Sequence, residues 1–193
     1  MANLKSISKK IKNSPKTVKK VREIAERQLK KEKERLLGDF ESHAVTREIM
    51  SGPNSENLSG TLAGYGNLFS FIGFSQGSNP VSPVRRMLSQ MTKIRDIRKA
   101  AGNNPKINIK IQIPSIEDFR EVAPMPWEPG RSWVEGIERG ISGFSYYINS
   151  SRPSSRSGKG IQTDKRIRVM AYKNIKYMSE IIRKFTKNLK NLK

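Results

Sequence analysis

Positive charge in this chain gathers at its two ends, and that partition limits where a core can form. Residues 1–37 hold 13 Lys and Arg against 4 Glu, a net of +9. Residues 152–193 hold 13 against 2 acids, a net of +11, while the centre, 38–151, holds 12 basic and 11 acidic residues. The whole chain of 193 residues therefore carries a formal +21. Like charges at this density repel one another, so the ends call for an anionic neighbour, either nucleic acid or an acidic protein surface. The apolar fraction is 35%. With Gly included it reaches about 42%, slightly under the ~45–50% of ordinary domains. One compact core with solvated extensions is expected, the extensions being able to order on binding.

Cysteine is absent, which removes disulfides, thiolate metal sites and cysteine catalysis. No apolar run approaches the ~18 residues of a membrane span. The basic start MANLKSISKKIKNSPKTVKK has no apolar stretch behind it, so no secretory signal is expected. A soluble protein made in the cytosol, with no membrane partner, is the reading.

Ser14-Pro15 is a helix entry, and Val18, Val21, Ala25 and Leu29 follow at steps of three and four, predicting an amphipathic helix over about 15–37. Glu23–Arg27 and Glu26–Lys30 have the order that supports a helix. HAVTREIMSG (43–52) reads as a short helical turn ended by Gly52, and SGPNSENLSGTLAGYG (51–66) as a glycine-rich loop. NLFSFIGF (67–74) reads as a strand buried on both faces, and Ser82-Pro83 as the start of a helix reaching about residue 98. In KINIKIQIP (106–114) the isoleucines 107, 109, 111 and 113 alternate with polar residues, predicting a strand with one buried face. Ser115 with Asp118, and Ser132 with Glu135, resemble capping boxes. GFSYYINS (143–150) reads as a further strand, and SSRPSSRSGKG (150–160) as a flexible basic loop. Ala171, Ile175, Met178, Ile182, Phe185 and Leu189 form one stripe on a long basic helix. That stripe serves the chain's own sheet, a neighbouring subunit, or both.

The predicted fold is α+β: a small antiparallel or mixed sheet with long N- and C-terminal basic helices. Its parts are a basic arm and amphipathic helix over 1–37, a body over 38–151, and a basic loop and helix over 152–193. The lone His43 cannot make a standard zinc site or a readable triad, and a capping or surface role is expected of it. Glu117/Glu121 and Glu135/Glu138 have the spacing of carboxylate pairs, but helix solubility and capping account for them. SGTLAGYG is preceded by no strand, and GKG at 158–160 lacks the phosphate-loop pattern. A non-enzymatic protein is expected, with no cofactor, metal or small-molecule substrate.

Candidate contacts to a partner or to phosphate are Lys9, Lys10, Lys12, Lys16, Lys19 and Lys20 in the first end, and Arg152, Arg156, Lys159, Lys165 and Arg166 in the second. Candidate interface residues are Trp127, Arg131 and Trp133, a Trp/Arg set around a Pro-Gly turn, with Ile175, Met178, Ile182 and Phe185 of the C-terminal stripe. Packing of this loop onto the chain's own core is the first reading for the tryptophans, and an interface role is the second. Acidic residues in the same stretch weaken base stacking and favour a protein contact.

The order of parts resembles the tail-completion and head–tail connector (neck) proteins of tailed bacteriophages. The residues that carry the resemblance are the leading helix 15–37, SGTLAGYGNLFSFIGF, KINIKIQIP, VEGIERGISG and a closing helix over 165–190. What the resemblance implies is a virion component, several copies of which form a ring at the neck or upper tail around the DNA path. Other virion structural proteins would be its partners, with DNA a further candidate. The long basic ends depart from a minimal member of that group. They leave open whether the ends clamp neighbours, line the channel or contact phosphate as a nucleic-acid-binding protein does.

Overall fold

The computed structural model describes residues 15–62, 66–99, 107–126, 128–139, 146–149, 161–166 and 173–190. The fold is mixed α and β. Its helices are α1 (Pro15–Ser42), α2 (Ala44–Met50), α3 (Leu68–Ile72), α4 (Val81–Met91), α5 (Phe119–Val122), α6 (Trp133–Arg139) and α7 (Met178–Lys190). A 3-10 turn spans Gly52–Asn54. The strands are β1 (Lys93–Lys99), β2 (Ile107–Gln112), β3 (Pro124–Met125), β4 (Glu128–Ser132), β5 (Tyr146–Asn149) and β6 (Ile161–Arg166). They make three separate antiparallel pairs, β1–β2, β3–β4 and β5–β6, in place of one sheet.

Helix α1 has 28 residues, a length of about 42 Å. It runs past residue 37, through Gly38, to Ser42. Leu29, Leu36 and Phe40 are buried, whereas Val18, Val21 and Ala25 of the same stripe are half-buried. The helix is therefore anchored by its second half. Its helical ion pairs are Arg22–Glu26 (4.0 Å) and Arg35–Glu32 (2.6 Å), in place of Glu23–Arg27 and Glu26–Lys30.

The segment 67–74 is a helix and not the predicted strand. Asn67 Oδ1 accepts from the Ser70 amide (2.9 Å) at its start. At its end Gly73 sits at φ 84°. There Gly73 N–H donates to Ser70 O (3.1 Å) and Phe74 N–H to Phe69 O (3.2 Å), a Schellman closure that glycine permits. All five helical residues are buried. A short run buried on every side carries no period to distinguish the two structures.

Helix α4 stops at Met91, and residues 93–99, predicted to continue it, form β1. Ile97 pairs with Ile109 and Ile94 with Ile111. The strand exists because β2 offers it a partner, a tertiary effect that local spacing does not record. The isoleucine face of β2 is also less covered than predicted: Ile107, Ile111 and Ile113 are half-buried and Ile109 is 38% exposed. A two-stranded pair leaves part of its face without a covering layer.

The C-terminal helix begins at Met178, well after residue 165. Residues 161–166 are β6, so Lys165 and Arg166 lie in a strand. The late start follows from two contacts. Lys173 N–H donates to Thr61 O (2.9 Å), and Glu138 Oε1 accepts from the amides of Tyr177 (3.3 Å) and Ser179 (2.6 Å). A carboxylate on those amides satisfies free N–H groups at the helix start and complements its dipole.

One apolar core joins α1, the body and α7. Phe40, Ile49, Leu68, Phe71, Val84, Leu88, Phe119 and Trp133 belong to it, with Tyr177, Met178, Ile181 and Phe185 from the C-terminal end. Helices α1 and α7 are thus seated on the body's core.

Candidate interaction surface

Tyr177 is the pivot on which the ends meet the body. Its ring stacks on Phe40 (6.2 Å) and Trp133 (6.3 Å) and lies 4.9 Å from the His43 ring. Its hydroxyl is 2.7 Å from Thr46 Oγ1, inside the core. Burial pushes the Tyr177 phenol above its ordinary range. His43 caps α2, its Nδ1 accepting from the Val45 amide (3.2 Å). Burial holds the imidazole below its ordinary value, against the opposing pull of Glu180 and Glu138. Trp133 also meets Phe74 edge-on at 5.9 Å. On the outside Lys184 Nζ reaches Asp39 Oδ1 (2.7 Å), tying α7 to α1.

This junction corrects several of the interface assignments. Trp133, Met178 and Phe185 are buried in the chain's own core at 1%, 0% and 2% exposure, leaving no surface for a partner. Ile182 and Ile175 are half-buried against the same core, Ile175 before the helix starts. The described part of the C-terminal stripe packs on α1 and the body in place of a sheet, and Ala171 lies outside the described residues. Arg131 is exposed on β4. Trp127 lies outside the described residues.

Among the cations, Lys16, Lys19 and Lys20 are exposed on α1. Lys9, Lys10, Lys12, Arg152, Arg156 and Lys159 lie outside the described residues. Glu26, Glu32 and Asp39 of α1 pair with Arg22, Arg35 and Lys184. Lys16, Lys19, Lys20, Arg27, Lys30 and Lys31 make no ion pair with a described carboxylate, and neither do Lys173, Lys176, Lys187 and Lys190 of the second end.

The body disposes of its charge differently. Glu135 accepts two bonds from Arg120 (3.0 and 3.1 Å) and one from Arg139 (2.5 Å). Arg139 also reaches Glu117 (3.3 Å), and Arg85 pairs with Glu41. Hydrogen bonding to Arg120 holds Glu135 below the usual carboxylate range, and the same bond raises Arg120. The buried Glu48 accepts from the amides of Ser59 (2.7 Å) and Leu68 (2.7 Å), closing the glycine-rich loop. These carboxylates hold arginines and backbone. Among the described residues no group of three or more His, Asp or Glu gathers as metal ligands. No described helix is long and apolar enough to cross a membrane.

Beside the cations lies an apolar groove of about 320 Å³. Val21, Ile24, Ala25 and Leu29 of α1 form one wall, Ile109 and Ile111 of β2 the other, and Leu189 of α7 one end. Ile24 is 49% exposed. Sequence reasoning overlooked it because it stands one step off the stripe of α1, although an isoleucine between Glu23 and Glu26 was the available signal. No family model matches the chain, and no curated protein or solved structure is similar to it.

Proposed function

We propose that this chain is a structural assembly protein of a tailed-phage particle, an oligomeric ring component at the neck or upper tail that joins head and tail. The observation that carries the reading is the set of cations on α1 and α7 without described carboxylate partners, on two helices that pack together. Cations displayed without described carboxylate partners on two helices that pack together are set up for a counter-charged neighbour. In this reading the protein performs no catalysis. It is made in the host cytoplasm and resides in the virion, touching other structural proteins.

The test is the mass of the protein in solution and its recovery with purified particles. A mass above 21.9 kDa, with a fixed copy number per particle, is the expected result. A monomer never recovered with particles removes the reading.

A nucleic-acid role is favoured by one specific observation, the exposure of Lys16, Lys19 and Lys20 along one end of α1. Each phosphate contact then steepens the salt dependence of duplex binding by about 0.9 in log–log slope. Titration of the full chain and of a chain lacking residues 1–13 measures that slope. Absence of binding at ~50 mM salt eliminates this role.

A further inference from the structure

Resting on the assembly reading, we propose that the groove between α1, β2 and the end of α7 docks an acidic amphipathic segment of a partner protein. Two observations meet there. First, Ile24 at 49% and Ile109 at 38% exposure face one apolar trough from opposite walls, with Gln28 its one polar lining side chain. Large apolar side chains gathered beside a concave surface mark a contact site more than isolated ones do. Second, the strip of α1 that carries Ile24 is otherwise cationic. Lys20, Ile24, Arg27 and Lys31 follow one another at steps of four, three and four, so they line one edge of the helix. The three cations are exposed and make no ion pair with a described carboxylate. Lys190, also exposed, follows Leu189 at the groove's end.

Charge chooses the occupant. A second copy of this chain brings a net +21 and the same cationic rim, so like would meet like. The chain's own residues 1–14 hold Leu4, Ile7 and Ile11, but also Lys5, Lys9, Lys10 and Lys12 with no acid. Nucleic acid answers the cations and leaves Ile24 and Ile109 uncovered. A segment with apolar residues on one face and Asp or Glu beside them answers both, as helix-in-groove recognition does.

The experiment uses the full chain and a fluorescent synthetic peptide of about 20 residues, with Leu at helical spacing and Glu elsewhere. Controls replace its Glu by Lys, or its Leu by Ser. Saturable binding of the acidic amphipathic peptide alone is expected. Ile24→Asp and Ile109→Asp should each weaken it about tenfold or more, as loss of a central anchor does. Lys20→Glu/Arg27→Glu/Lys31→Glu should weaken it comparably and flatten its salt dependence. Both isoleucines are well exposed, and an unchanged melting temperature confirms that each variant folds.

No binding, binding indifferent to these variants, or equal binding of the Lys peptide overturns the proposal. So does an Ile24→Asp variant that only dissociates an oligomer, or a groove that binds only after residues 1–14 are deleted. Duplex DNA displaced by the Ile24→Asp change would assign the face to nucleic acid instead. The outcomes separate this proposal from the assembly reading. Recovery with particles together with groove-independent peptide binding sinks the groove alone, whereas groove binding without recovery sinks the phage role alone.

Discussion

In the body, Arg120 and Arg139 close around Glu135 and Glu117 at 2.5–3.3 Å, whereas in the ends most described cations face outward with no described carboxylate in reach. The two regions share one core, and they differ in that the body gathers two arginines around two carboxylates while most described cations of the ends stand apart. Arginines held by carboxylates have their charge answered within the chain. Lysines displayed on α1 and α7 add repulsion to the folded state, which the apolar junction at Tyr177 must overcome. The core keeps the ends in place, and their charge remains available for something else.

The largest effect that would break this comparison comes from the junction. Trp133→Ala removes a fully buried indole stacked on Tyr177 and should cost about 3–5 kcal/mol, read by urea denaturation. A cost below about 1 kcal/mol would mean that the ends are held by something other than the aromatic stack. Tyr177→Phe keeps the ring and leaves the Thr46 hydroxyl without its partner. Its expected cost is about 1–3 kcal/mol.

Capping comes next. Ser132 Oγ accepts from the Val134 amide (3.2 Å) at the start of α6. Ser132→Ala should cost about 1 kcal/mol in the same assay. Glu138→Ala, which frees the amides of Tyr177 and Ser179, should cost about as much and loosen α7 selectively. Faster amide exchange in 177–190 than in α1 would show it.

The pH response sharpens the contrast further. His43 has its pKa lowered from 6.5 by burial, so the unfolded chain binds more protons as pH falls. Its contribution to stability is full above pH 6.5 and declines as pH drops through that value toward the lowered one. His43→Asn keeps a side-chain acceptor for the cap and should flatten the loss seen between about pH 7.5 and pH 5.5. Glu135 behaves in a lower window. Its stabilisation is present above the ordinary value of 4.5 and lost as pH falls through its depressed pKa. Glu135→Gln should remove that acid-side slope.

The smallest stability effect belongs to the ends. Lys20→Glu, Arg27→Glu and Lys31→Glu each lie on the surface and should change stability by no more than about 0.5 kcal/mol. A large destabilisation by any of them would show that the end cations serve the fold.

The charge partition, the first helix, the turn-bounded helix 44–50, the strand 107–112 and the caps at His43 and Ser132 were all legible in the sequence. Each rests on local chemistry: a period, an N-cap or a run of alternating isoleucines. The segment 67–74 was misread because a run buried on all sides shows no period. The strand 93–99 was misread because its identity depends on β2, a separate segment, and not on its own local spacing. Of the candidate surface, the cations were visible as a composition, and Lys16, Lys19 and Lys20 are exposed as expected. Trp133, named for its chemistry, and Met178 and Phe185, named from the stripe, are buried in the chain's own core.

By itself, the sequence determined where charge must gather and which segments are helical enough to carry it, because repulsion and hydrophobic period act between near neighbours. Only the tertiary structure decided that Tyr177 would seat the C-terminal end on Phe40, His43 and Trp133. It also decided that Ile24 and Ile109, 85 residues apart in the chain, would face one groove. Those outcomes depend on which faces meet across the core, and no local pattern encodes which side of a stripe is covered and which is left open.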